Sequence, residues 1–330
     1  MATYLARRFV IACITCLVIS LVTFFILRLP PGDFVDSYIA NLAGSGSSVT
    51  ADQAQAMRHD LGLDRPVIVQ YALWMGHMAQ GDLGVSMLFK RPVAEVIGDR
   101  LWLTMAVSVS ALFLTWMLAL PIGIYSAVRQ YSWGDYAATT LGFIGLAVPN
   151  FLLALILMYL GFRYLGLSVG GLFSPEYAQA PWGPGRLWDL AKHLPLPACV
   201  LAFAGTAQLI RIMRANLLDE LRRPYVVTAR AKGLRESRLV LKYPVRAALN
   251  PFASSMAYIF PSLVSGSIIV SLVLGLPTVG PLLLQALLAQ DMYLAGTIVL
   301  LLGVLTVAGT LVSDLVLMWV EPRLRLQGHL

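Results

Sequence analysis

The sequence is poor in charge. Only 12% of its 330 residues are Asp, Glu, Lys or Arg, where soluble domains carry about a quarter, and 58% are hydrophobic. That deficit excludes a water-exposed surface over most of the chain. Cysteine is scarce as well, and Cys13, Cys16 and Cys199 all lie in apolar stretches. Cys13 and Cys16 form a C-x-x-C, but no second ligand pair or nearby histidine accompanies them. Zinc and thiol-redox chemistry are therefore set aside, and all three are expected as small buried hydrophobes without a disulfide. No G-x-x-x-x-G-K-[ST] phosphate loop occurs, which removes ATP hydrolysis by that route. The histidines, His59, His77, His193 and His329, are scattered outside the apolar runs. No catalytic or metal site is expected from them, and the chain is not expected to be an enzyme. Its net charge of +7 is concentrated in one loop, which argues against nucleic acid as a partner.

What the chain has is long apolar runs. Six stretches, 9–29, 103–128, 137–160, 194–213, 252–275 and 293–319, can each cross about 30 Å of hydrocarbon. They are too long and continuous for barrel strands, so the expected fold is an all-α, polytopic membrane protein. Pro195 and Pro197 open the fourth stretch, and a first helical turn tolerates them. The first run, Phe9 to Leu27, exceeds a signal-peptide core and lacks an A-x-A site after it, so it reads as a retained span. Six spans place both termini on one side. That side carries fifteen Lys and Arg, against three in 161–193 and none in 276–292, with the over-long segment 30–101 left out. The expectation is that both termini and the basic loop are cytoplasmic. Arg28 and Asp314 are the charges nearest the spans, and both can snorkel from span ends. The lack of mid-membrane charge weighs against a proton- or sodium-driven carrier, the main rival reading; an assembly factor is the second.

The expected organisation is an N-terminal segment and first span over 1–29, an extracytoplasmic segment over 30–102, and a core over 103–330 containing a cytoplasmic loop, 211–250. After Pro66 the extracytoplasmic segment reads "VIVQYALWMGHM", placing Val67, Tyr71, Trp74 and Met78 on one helical stripe. That stripe suits either a cap packed on the spans or a surface for a partner. Segment 161–193 is rich in Gly and Pro and reads as an irregular loop.

The loop 211–250 holds ten Lys and Arg. At about 2.5–3.5 kcal/mol each near mid-bilayer, these cannot be submerged in lipid. Within the loop, Pro224 can begin a helix and Gly233 can end one as a left-handed cap, leaving about two turns over "PYVVTARAK". Tyr225, Ala229 and Lys232 share one face of that helix, with Thr228 beside them. So short a helix is not stable alone in water. Charge by itself suits a retention loop against lipid headgroups. The small residues, the prolines and the glycine suit a knob for a soluble protein, and both readings stay open on spacing alone.

The same stretch resembles the cytoplasmic "EAA" loop of ATP-binding-cassette importer permeases. "TARAKG" at 228–233 matches the version found in the dipeptide/oligopeptide/nickel branch, with Val227 where the Glu would stand and Thr228 at the first Ala. "PPGD" at 30–33, "LGLDRPVIVQY" at 61–71, "GDLGVS" at 81–86, "RPV" at 91–93, "LP-G" at 277–280 and "EPRLR" at 321–325 resemble the first permease subunit of that branch. Tyr243 and Ser271 depart from it. The resemblance implies a type I importer permease fold with six transmembrane helices in the bacterial inner membrane. It implies a coupling helix contacting an ATPase through Pro224, Tyr225, Val226, Thr228, Ala229, Ala231, Lys232, Gly233 and Leu234. It also implies a second permease, two ATP-binding subunits that hold ATP and Mg, and an extracytoplasmic solute-binding protein, with peptides as the expected cargo and nickel, oligosaccharides or opines as alternatives. No cofactor is expected in this chain, and membrane lipid surrounds it. Ser255, Ser262 and Gly266 lie along one stripe of the fifth span, with Ser265 adjacent, which suits close packing; the resemblance makes the same residues a candidate translocation path.

Overall fold

In a computed structural model of the chain, residues 2–44, 49–165, 170–254 and 256–320 are described. Their regular structure is helical: α1 Ala2–Leu27, α2 Phe34–Gly44, α3 Ala51–Asp60, α4 Val67–Ala79, α5 Val93–Ile97, α6 Arg100–Val128, α7 Trp133–Ala147, α8 Asn150–Leu165, α9 Pro184–His193, α10 Pro195–Leu221, α11 Pro224–Ala231, α12 Glu236–Lys242, α13 Pro244–Ser254, α14 Met256–Val273, α15 Val279–Leu288 and α16 Met292–Val320. The all-α class expected from composition is the one observed. Stretches within α1, α6, α10 and α16 are long and apolar enough to cross a membrane unbroken.

One stretch departs from the simple span picture. The run 137–160 is two helices, α7 and α8, which meet at 107°. Pro149 follows Val148, and a residue before proline is pushed out of helical geometry; Val148 is accordingly extended at φ −85°, ψ 121°. Apolarity is continuous across the break, so hydropathy alone reads it as one rod.

The chain forms two compact units. The first comprises Trp102–Pro277 and the end of α16. At its centre α10 packs on α7, α8, α13 and α14. Met213, Leu209 and Leu217 on α10 are fully buried there. The approach to α6 is close: a Cβ on Gly123 would lie 2.7 Å from Met213 Cβ and 3.2 Å from the Ile210 carbonyl. Glycine at this crossing allows backbone-to-side-chain contact without a polar driving force, as apolar solvent requires. α10 continues to Leu221, eight residues past the expected span end at 213, so the first charges of the loop, Arg211 and Arg214, belong to this helix. Residues 184–193, expected as irregular loop, form α9, with Pro184 at its first position.

The second unit comprises Ala2–Leu101 and Thr278–Val307. Here the amphipathic stripe after Pro66 is used on the chain's own first span. Trp74 is 4% exposed, stacks 5.8 Å from Phe24, and crosses Gly296, where a Cβ would meet its ring at 3.2 Å. The Tyr71 hydroxyl shares a 2.9 Å hydrogen bond with Ser20. Of the two readings of that stripe, this packing is the cap. Asp291, fully buried, accepts from Ser86 Oγ at 2.6 Å and from the Leu88 and Leu294 amides at 3.0 and 3.1 Å, so the start of α16 is anchored to the segment after α4. The cysteines depart from expectation. Cys13 and Cys199 are exposed on α1 and α10, where the apolar surroundings are outside the chain, and Cys16 is half-buried.

The tight α6–α10 crossing yields a prediction. Gly123→Ala inserts a methyl where no space exists, and overpacking of this kind costs about 1–3 kcal/mol. The purified variant should melt below the parent in detergent, whereas Gly76→Ala, with nothing within 4 Å of its Cβ, should melt close to it.

Candidate coupling site

α11 begins where α10 ends. Arg222 caps α10, Arg223 is extended at φ −70°, ψ 146°, and Pro224 takes the first helical position of α11, where its missing N–H costs nothing. At the other end Lys232 caps the helix and Gly233 adopts φ +76°, the left-handed conformation glycine favours. The Gly233 amide donates to the Arg230 carbonyl at 3.0 Å and the Leu234 amide to Ala229 at 3.4 Å. That is a Schellman closure, so the last carbonyls of this short helix are bonded without outside help. The proline and glycine expected to bracket the helix do so.

The two faces of α11 differ. Val226 is fully buried and Ala229 is 9% exposed, one turn apart on the inner side. Pro224, Tyr225, Thr228, Ala231, Lys232 and Gly233 are exposed, and Leu234 is half-buried. Ala229, grouped with Tyr225 and Lys232 from spacing, faces the other way: α11 packs against α12, where Leu239 and Val240 are buried, and that inward face needs small apolar residues. The surface offered outward is Tyr225, Thr228 and Lys232, with Val227 59% exposed beside them.

Local polar contacts stiffen this element. Thr228 Oγ1 donates back to the Pro224 carbonyl at 3.1 Å. The Arg230 guanidinium holds Glu236 at 3.1 Å and 2.5 Å, tying α11 to the first turn of α12. The Tyr225 hydroxyl donates to Glu220 on α10 at 2.6 Å. Partial burial, this hydrogen bond and the Glu220 charge push the Tyr225 phenol up to about 12. α13 then packs back along α10, and Val245 and Ala248 are buried. The loop is thus a bracket of three short helices fastened to the end of one long helix.

One pair was not foreseen. Asp135, in the first turn of α7, accepts Arg214 Nε at 2.8 Å and Nη2 at 2.9 Å, a two-point bridge to α10. In the sequence Arg214 counts only among the loop charges. The local signal was Ser132-x-x-Asp135 before an apolar run, a helix-start pattern, and Ser132 does cap α7 by accepting the Asp135 amide at 3.2 Å.

The candidate path residues divide. Ser262 and Ser265 are exposed on one face of α14, and Ser262 Oγ donates to the Ile259 carbonyl at 2.7 Å. Gly266 is half-buried, its Cβ position 3.8 Å from Asn150 of α8 and 3.9 Å from Leu201 of α10. Ser255 lies outside the described residues.

A capped helix hung on a long apolar helix, in a chain of such spans, is the arrangement the resemblance implies, and comparison with known proteins decides the family. The model for the binding-protein-dependent transport system inner membrane component matches residues 119–326, and its N-terminal companion matches residues 1–108. The chain belongs to this permease family. It is 36% identical over 330 residues to the oligopeptide transport system permease protein AppB of Bacillus subtilis, covering 98% of this chain and 99% of that one. It is also 32% identical over 327 residues to a putative peptide permease protein of Brucella ovis, and 32% identical over 332 residues to the oligopeptide transport system permease protein OppB of Mycobacterium bovis, with the same coverage. The chain is therefore a multi-pass permease subunit of the inner membrane with the fold of its family, and all nine loop residues singled out at 224–234 fall within the matched region.

The Tyr225 phenol makes a testable feature of this permease. Its ordinary value is 10.0 and here it is about 12, so the neutral form is favoured by the fold. The contact with Glu220 is intact below pH 10 and is lost as pH rises toward 12. A tyrosinate difference titration of parent against Tyr225→Phe should show one group ionising near 12; a difference centred near 10 would contradict the burial of this contact.

Proposed function

We propose that this chain is one of two permease subunits of an ATP-driven, binding-protein-dependent importer of peptides or peptide-like solutes. The observation that carries the reading is α11: a helix closed at both ends by its own sequence, tied to α10, with Tyr225, Thr228 and Lys232 turned outward. The names of full-length relatives support peptides as cargo. In this reading both termini and the basic bracket are cytoplasmic, as the Lys and Arg bias favours.

The partners follow from what the chain can and cannot do. Having no phosphate loop, it leaves ATP and Mg to two ATP-binding subunits, each docking one permease. A second, homologous permease completes the translocation path, and an extracytoplasmic binding protein delivers solute. Closure of the ATPase pair on ATP pulls α11, α10 follows, and access switches from the inner to the outer face. Inverting a 1:99 bias needs about 5.5 kcal/mol of differential binding, within reach of a docked surface reinforced by nucleotide. Exposed Ser262 and Ser265 of α14 then face the path or the second permease, with Gly266 beside them.

The test exploits Gly233. Proline there can adopt neither φ +76° nor donate the amide bonded to Arg230. Gly233→Pro should reach the membrane in parental amounts but lose co-purification with the ATP-binding subunits. Undiminished assembly would contradict the docking role of α11. Solute uptake by this chain alone in liposomes, without ATPase, would replace the reading with a secondary carrier.

A further inference from the structure

The Asp135–Arg214 pair is more constrained than an anchor requires. Two parallel bonds fix the rotation of the Arg214 fork against the carboxylate as well as its distance. The carboxylate is held in turn: Oδ2 also accepts the Tyr131 amide at 2.9 Å, and the Asp135 amide is bound by Ser132 Oγ. The Asp135 side chain is 3% exposed and that of Arg214 27%. In a static protein, an apolar pair of similar volume would hold two helices at least as well as a buried ion pair does. It would lack a directional joint that resists sliding and rotation.

The joint is placed where such resistance matters. Arg214 is two turns from the end of α10, and α11 begins three residues beyond that end. Asp135 opens α7, the first arm of the pair bent by 107° at Val148–Pro149. Next to this crossing an apolar cavity of about 570 Å³ opens, lined among others by Ala138 and Leu141 of α7 and by Phe203, Thr206 and Ile210 of α10. That flank of the α7–α10 contact is unfilled by the chain's own side chains, while the helices pack directly elsewhere along their length, as at Gly145 against Ala207 and Phe203. A further fixed contact lies beside Asp135: a Cβ on Gly134 would come within 2.5 Å of the Tyr125 ring of α6.

We propose that Asp135 and Arg214 are positioning residues that carry displacement of α11, arriving along α10, into α7 and so into the bent α7–α8 pair. This rests on the coupling function proposed above. The competing role is mutual neutralisation of buried Asp135 and half-buried Arg214. The two differ in one consequence: deleting both charges removes a neutralisation problem, but it does not restore a joint.

The experiment uses the assembled transporter in proteoliposomes, comparing parent, Asp135→Asn, Arg214→Lys and the double variant Asp135→Asn/Arg214→Gln. Three quantities are read: ATP hydrolysis, uptake of a labelled tripeptide, and hydrogen–deuterium exchange of Trp133–Ala147 and Pro195–Leu221 with and without ATP plus orthovanadate. Hydrolysis should persist while uptake per ATP falls about tenfold in Asp135→Asn and in the double variant, a loss of ordinary coupling size. Arg214→Lys keeps the charge but not the fork, so it assembles even where the neutral variants do not, and it should lose uptake per ATP to a smaller extent. Trapping should still alter exchange in Pro195–Leu221 of every variant, but no longer in Trp133–Ala147 of Asp135→Asn and the double variant, whatever the solute. Recovery of uptake per ATP in the double variant, or a parental response of Trp133–Ala147 in Asp135→Asn, would overturn the joint. Absence of any response to ATP in the parent would instead overturn the coupling function on which the joint rests.

Discussion

A hydrocarbon interior hydrates neither a peptide group nor a charge, and most of this structure follows from that one constraint. Backbone groups must be bonded within each helix, so the apolar runs become helices, and breaks occur where proline imposes them. Charge is driven to the helix ends. The ten basic residues of 211–250 cannot enter the bilayer, and they are spread from the end of α10, at Arg211 and Arg214, through α11, α12 and α13 and the turns between them. One ion pair near the spans sits at a helix start: Asp135 meets Arg214 where α7 begins.

The same constraint determines how work can enter the protein. In the proposed coupling, a flexible loop would dissipate a pull as conformational entropy, at about 1–2 kcal/mol per residue freed. Here the loop is not flexible in form. α10 runs without interruption from Pro195 to Leu221, Pro224 starts α11 three residues later, and the Schellman closure at Gly233 completes it. The Tyr225–Glu220 and Arg230–Glu236 contacts join α11 to the helices before and after it. The inward face attaches α11 to α12, and the outward face is the one the proposed reading gives to docking.

Much of this was legible in the residues. Proline and glycine at fixed offsets bounded α11, and the stripe from Val67 to Met78 gave α4 its inner face, later filled by Trp74 on Phe24. What was not legible needed tertiary information. Spacing groups Tyr225, Ala229 and Lys232, yet which arc of a two-turn helix is buried depends on α12, and it is Val226 and Ala229 that turn inward. The break at Pro149 was marked by proline but masked by unbroken apolarity on both sides. The end of α10 was placed too early because Arg211 and Arg214 read as loop charges, when a partner 79 residues away lets Arg214 remain on the helix. The cysteines show the limit of reading apolar as buried: on a membrane helix the apolar medium can be lipid or a partner.

The central claim, that the outward face of α11 docks on an ATP-binding subunit and moves with it, is most directly tested by crosslinking in working cells. A single cysteine at Thr228, in a chain with Cys13, Cys16 and Cys199 replaced by serine, should crosslink to an ATP-binding subunit during active uptake. Uptake should stop while the link is intact and resume when a reductant opens it. Uninterrupted uptake with no product joining Thr228→Cys to any ATP-binding subunit would contradict the account.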